Sequence, residues 1–191
     1  MRKALLAAGV TLGPELLDGP DDRVLEDMAV EYTRLFLGPG KHVPPYESVH
    51  ARGGGGQLWG AETAIVKRDI EAAGFEYAAT FSGLPDHIGI EMEFMAILAA
   101  MEAAALKDGD TARALSCLRH QGEFMSRHLA AWAPTFCRRV AEQAMLPFYR
   151  QIAELAGAFI STDETEMANR LAVALSPSGD GPQASAGGKT G

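Results

Sequence analysis

The residues of this chain whose types and spacing could do chemistry gather at Leu84-Pro85-Asp86-His87. Pro85 biases the residue before it toward an extended conformation, and Asp86 is a residue type that caps helix N-termini. Ile90, Phe94, Met95, Ile97, Leu98 and Met101 then recur at helical spacing. The sequence therefore sets an anion, and a group that titrates near neutral pH, at the mouth of an apolar helix. Such a corner suits recognition or catalysis. It also suits plain capping by Asp86, with His87 on the first turn at the surface.

Other chemistries ask for residues that the chain lacks. His87 and Glu91 are one helical turn apart and could both reach a metal, but no third or fourth ligand follows at a suitable spacing, so no metal is expected. A carboxylate-bridged bundle centre needs Glu-x-x-His steps on two helices, and the only such step, Glu47 to His50, lies in a Pro-led loop. Gly53 to Gly56 has neither a preceding strand nor a Lys-Ser/Thr pair, and Gly188-Lys189-Thr190 has Gln183 where a phosphate loop needs its first Gly. There is no Gly-x-Ser-x-Gly nucleophile motif. Neither a catalytic residue nor a cofactor is expected.

The elements that must position the corner are helical. With 191 residues, 47% of them hydrophobic, and no run of 18 apolar residues, the chain should form one soluble domain with a sizeable core. No membrane insertion is expected without such a run, and 25 acidic against 17 basic residues give a formal charge of -8, which argues against a nucleic-acid or anionic-membrane partner and permits a basic one. Cys117 and Cys137 match no metal spacing and imply no disulfide framework, as for reduced cytosolic thiols. Met1-Arg2-Lys3 with Ala4 to Val10 reads as a first helix rather than an export signal.

Val24, Leu25, Met28, Tyr32, Leu35 and Phe36 predict one helix face, stopped by Gly38-Pro39-Gly40. Residues 41–59 read as a long connection, residues 61–73 as a helix ended by Gly74, and Phe75 to Phe81 as too weak in strand propensity to build a sheet. Asp108-Gly109-Asp110 predicts a stop and a cap before the stripe Leu115, Leu118, Gly122, Met125, Leu129 and Trp132. Pro134 suits the first turn of a following helix, and Pro147 should kink or divide it. Ser161 to Glu164 offer caps for a last helix. The expectation is an all-α, single-domain helical bundle over residues 1–175, and a disordered Ser/Gly/Pro/Ala tail over 176–191 with nothing to bury.

Three ordered motifs carry a resemblance. Glu31-Tyr32-Thr33-Arg34-Leu35-Phe36-Leu37-Gly38-Pro39-Gly40, then Pro44-Pro45-Tyr46-Glu47-Ser48-Val49, then Leu84-Pro85-Asp86-His87, resemble the pattern of the TorD/DmsD/NarJ-type maturation chaperones of molybdoenzymes. Phe124, His128-Leu129, Trp132, Pro134, Phe136 and Pro147-Phe148-Tyr149-Arg150 fit in order, so the resemblance spans about residues 24–160.

The resemblance implies a cytoplasmic, non-catalytic helical protein, a monomer or homodimer. Its implied partners are the twin-arginine signal peptide and the apo form of a molybdopterin oxidoreductase subunit, held until cofactor insertion. Family peptide-binding positions carry over to Tyr32, Leu35, Phe36, Tyr46, Asp86 and His87. Tyr32, Leu35 and Phe36 would share a helix face, though Leu35 also reads as ordinary core. The alternative is a small-ligand or metal-dependent helical enzyme using His87 and Glu91, with His128 as a further candidate.

Overall fold

In the computed structural model, residues 22–51, 56–78 and 81–176 are described. The expected first helix near the N-terminus and the tail beyond Ser176 lie outside them. Helices α1 (Asp22–Tyr32), α2 (Glu47–His50), α3 (Ala61–Ala72), α4 (Ile88–Lys107), α5 (Thr111–Phe124), α6 (Ala130–Gln143) and α7 (Pro147–Leu175) follow one another, with π-helical turns at Thr33–Leu37 and Met125–Leu129. Among the described residues there is no strand, only an isolated antiparallel bridge between Tyr46 and His87. None of their helices is long and apolar enough to cross a membrane.

The helix ends follow from local chemistry. Gly74 and Gly109 sit just past α3 and α4 at φ of 89° and 75°, where a side chain would be strained. Asp110 caps α5 by accepting from the Arg113 N–H at 3.0 Å. Pro147 stands at the first turn of α7, where its missing N–H costs nothing, so it divides two helices rather than kinking one.

Three expectations are corrected. Pro134 does not begin a helix: α5, the 125–129 turn and α6 form one continuous run, with Pro134 inside α6. Ser161 to Glu164 do not cap a new helix, because the Ser161 hydroxyl donates back to the Gly157 carbonyl and Thr165 to that of Ser161, and nothing there breaks α7. The connection over 41–59 contains a helical turn, α2, with Glu47 and Ser48 buried.

The core forms where α4, α5, the 125–129 turn, α6 and α7 meet. Trp132, Leu129, Met125, Leu98, Leu35 and Ile160 are each 2% exposed or less. The short 144–146 link folds α7 back along α6, and the approach is close: a Cβ on Gly157 would stand 3.2 Å from the Cys137 Cβ. At 29 residues α7 is about 43 Å long, so it reaches past α6 to α5. There Leu171 covers Gly122 and Arg170 pairs with the buried Glu102.

Ile160 marks whether α7 belongs to this core. Ile160→Ala should lower stability by about 2 to 5 kcal/mol in urea denaturation. A loss well below 1 kcal/mol would show that α7 packs only loosely.

Candidate functional site

The corner is a clasp between two loops. Pro45 lacks an N–H to offer, but its carbonyl accepts from the Ile88 N–H at 3.0 Å, which docks the 44–46 segment on the start of α4. Tyr46 then bridges His87 along the backbone, and their rings meet edge to face at 5.1 Å. From Glu47 the chain turns into α2, whose first N–H groups need acceptors from outside. Asp86 supplies them: its carbonyl accepts from the Glu47 N–H at 2.9 Å, and its Oδ2 from the Ser48 N–H at 3.0 Å.

Asp86 therefore caps α2 and not, as its position suggested, the helix that follows it. The cap of α4 is His87, whose Nδ1 accepts from the Gly89 N–H at 3.0 Å. That bond requires the neutral ring with hydrogen on Nε2. Burial, working against the nearby Asp86 charge, lowers the His87 pKa and favours this form. Asp86 is 0% exposed, so its carboxylate forms an internal brace and offers no open surface to a ligand.

The second group of expected residues stands at the end of α1. Tyr32 is 42% exposed and its ring meets Phe36 at 5.0 Å. Phe36 in turn reaches Phe136 at 6.2 Å and Tyr149 at 6.3 Å. Leu35 does not share this surface: it is 0% exposed and belongs to the core. The π-helical turn explains the split, because its wider winding keeps residues four apart together while rotating the residue three along toward the interior. The Val43 N–H donates to the Leu35 carbonyl at 2.7 Å, tying the segment that leads to Tyr46 back to this helix end.

A latch that the sequence did not assign holds α1 in place. Glu31, 5% exposed, takes two hydrogen bonds from Arg34 at 2.7 and 2.9 Å and also accepts from the Met145 N–H at 2.6 Å. Arg34 donates onward to the Gln143 carbonyl at 2.6 Å, and the Tyr149 hydroxyl to the Met28 carbonyl at 2.9 Å. One carboxylate thus gathers the bare N–H groups at the head of α7 and fixes the aromatic patch above it. The only sequence signal was the i, i+3 spacing of Glu31 and Arg34.

The alternative pairing of His87 with Glu91 is not assembled. His87 is engaged as a cap, while Glu91 is 0% exposed and accepts from the Trp132 indole N–H at 3.1 Å. His128 is 2% exposed and faces Glu47 and Asp69 instead. Among the described residues no three His, Cys, Asp or Glu side chains are arranged to hold a metal.

The latch has a defined pH signature. The Arg34 hydrogen bonds hold the Glu31 carboxyl below its usual range, outweighing burial. Its stabilisation is present above the ordinary carboxylate pKa and is lost as pH falls through the lowered one. Glu31→Gln should cost roughly 1.5 to 3 kcal/mol at neutral pH, and the gap to wild type should close on acidification. A gap that stays constant down to acid unfolding would show that the charge on Glu31 is not what holds α1.

The chain matches the nitrate reductase delta subunit family over residues 3–138. The chaperone protein TorD of Vibrio cholerae serotype O1 (strain M66-2) is 30% identical over 139 residues, which is 72% of this chain and 61% of TorD. The chlorate reductase assembly chaperone protein of Ideonella dechloratans is 35% identical over 86 residues, 45% of this chain and 42% of its own. The selenate reductase assembly chaperone protein of Thauera selenatis is 36% identical over 83 residues, 44% of this chain and 41% of its own. The chain spans less than two thirds of the length of these relatives. Joined to an all-helical bundle in which the three motifs meet as two neighbouring patches, the match over residues 3–138 places the chain in the nitrate reductase delta subunit family, that of the TorD/NarJ-type chaperones.

Proposed function

We propose that this chain is a cytoplasmic assembly chaperone for a redox enzyme, and that it binds the twin-arginine leader of an apo molybdopterin oxidoreductase subunit until the cofactor is in place. The names of its relatives support the assembly role. The observation that carries the peptide-binding part is the open aromatic end of α1. Tyr32, 42% exposed, meets the Phe36 ring there at 5.0 Å in a tilted contact, and Val30 and Leu37 on the same segment are each 63% exposed. A groove of about 630 Å³, separate from that ring pair, runs along the same helix past Ala29, Val30, Thr33 and Pro39, with Glu26, Arg34 and Lys41 as its charged lining. Apolar surface of this kind suits the hydrophobic stretch of a leader.

Charge supports the same reading. Asp22, Glu26 and Asp27 are exposed on α1, and the whole chain carries a formal charge of -8, so a basic peptide is steered toward this helix. At the corner Tyr46 is half-buried, and the His87 Nε2–H is a donor for a leader backbone carbonyl. Leu35 and Asp86 act from behind, one as core and the other as the brace of the clasp. Contact with the leader falls to Tyr32, Phe36, Tyr46 and His87.

Titration calorimetry of the leader peptide against the full chain tests this. Tyr32→Ala and Tyr46→Ala should each weaken binding by about 1 to 3 kcal/mol with little change in salt dependence, because apolar contact is what they remove. Glu26→Gln with Asp27→Asn should weaken it mainly at low salt. Asp86→Asn should lower the melting temperature and leave binding by the folded protein near wild type. Unchanged affinity in both tyrosine variants would sink the assignment of this surface.

A further inference from the structure

Behind the corner runs a chain of five side chains from five different segments, buried except at Asp69, which is partly exposed. His128, on the 125–129 turn, faces a carboxylate with each ring nitrogen: Nδ1 lies 2.9 Å from Glu47 Oε2, and Nε2 3.2 Å from Asp69 Oδ2. A carboxylate offers only acceptors, so both contacts are hydrogen bonds when both ring nitrogens carry hydrogen. Glu47 in turn faces Glu91 across a carboxyl-to-carboxyl contact, and Glu91 Oε2 takes the Trp132 indole N–H. Glu47, Glu91 and His128 are all buried.

Hydrogen bonding in this group is incomplete, and the buried Ser48 and Tyr77 hydroxyls are unpartnered as well. Glu91 Oε1 is buried and receives no hydrogen bond, and beside it Asp86 Oδ1 is in the same condition. The Tyr77 hydroxyl also faces the group, and burial with the Glu71, Glu91 and Asp86 charges pushes its pKa up to about 12. On the cationic side stand His128 and, beyond Asp69, Arg127 at 3.0 Å and Arg68 at 3.0 Å. Glu47, Asp86 and Glu91 thus have one imidazole and one indole N–H among them, and two ionised carboxylates in buried contact repel strongly. Burial first, and the Glu47 carboxyl second, hold the Glu91 pKa well above the usual carboxylate range.

We propose that Glu47 and Glu91 share one proton, and that this proton holds the Tyr46–His87 corner against the bundle. With the proton in place, Glu91 donates to Glu47 and the chain Asp69, His128, Glu47, Glu91, Trp132 closes. It then joins α3, the 125–129 turn, α2, α4 and α6. Without the proton, two carboxylates meet beside Asp86, and α2 is the shortest element that can withdraw. The Glu47 and Ser48 N–H bonds to Asp86 would loosen with it. A proton held more tightly in the folded state gives stability that is lost as pH rises from the ordinary carboxylate range through the raised one. The inference stands on the buried chain alone and is independent of what the corner binds.

The test uses the full chain carrying Trp59→Phe, which removes the exposed indole and leaves Trp132 as the single reporter. Glu91→Gln replaces the shared proton with a permanent N–H donor of the same shape. Between about pH 5 and 9 the Trp132 indole N–H resonance should show a titration step with Glu91 present that Glu91→Gln lacks, what remains in the variant being that of His50, stacked on the indole at 5.5 Å. Over the same titration, amide-exchange protection at Ser48 and Ile88 should fall by about tenfold, again only with Glu91 present. Infrared spectra at neutral pH should show a protonated-carboxyl stretch that the variant lacks. An indole titration that is identical in the two proteins overturns the proposal. If Glu91→Gln does not fold, the spectrum of the parent decides: a protonated-carboxyl band that titrates together with the indole supports the shared proton, and its absence overturns it.

Discussion

Asp86 caps a helix to which it does not belong. Its carbonyl and one carboxylate oxygen take the first N–H groups of α2, and that single residue joins the Pro44-Pro45-Tyr46 loop to the start of α4. Everything at the corner follows from it. With Asp86 committed to α2, the role of capping α4 passes to His87, whose ring is then held neutral and set edge to face against Tyr46. The placement of α2 sends Glu47 inward to His128 and Glu91, so the buried polar chain depends on the same brace. Removing it would leave the N–H groups of α2 without acceptors in a site closed to water.

Buried carboxyl groups recur as the joints of this bundle. Glu31 fastens α1 to the head of α7, Glu47 meets His128 of the 125–129 turn, Glu91 takes the Trp132 indole from α6, and Glu102 takes Gln121 from α5 and Arg170 from α7. Burying a carboxylate is costly unless donors meet it, and each of these has one or more. Such groups fix register better than apolar packing does, because a helix shifted by one turn would strand the charge. The exposed end of α1 is apolar and aromatic, while the interior that orients it is held by carboxyl hydrogen bonds.

Both π-helical turns fall where site residues must be re-aimed. At 33–37 the wide turn separates the core residue Leu35 from the surface pair Tyr32 and Phe36. At 125–129 it delivers His128 between Glu47 and Asp69 while leaving α5 and α6 continuous in direction. Extra residues in a helix are tolerated where tertiary contacts compensate for the poorer backbone geometry. Here His128, with a carboxylate on each ring nitrogen, and Leu35, fully enclosed, supply that compensation.

The sequence by itself determined the helical class and most of the element boundaries. Apolar residues at helical spacing, Gly74 and Gly109 at positions needing positive φ, Asp110 as a cap and Pro147 at a first turn are local signals with local causes. The three motifs also marked which residues to examine. What only the tertiary structure decided was how those residues divide between surface and interior. Asp86 finds Ser48 across 38 residues, and His128 finds Glu47 across 81, so neither role can be inferred from neighbours in the chain. Periodicity of 3.6 groups Leu35 with Tyr32 and Phe36, and of its two readings, shared face or ordinary core, the wider winding of the segment selects the core. Ser161 to Glu164 offer caps by residue type, and the structure back-bonds Ser161 into a continuous helix, since a cap and a back-bonded helical hydroxyl use the same residue types. Local spacing specifies an element; burial and long-range hydrogen bonding specify what each of its side chains does.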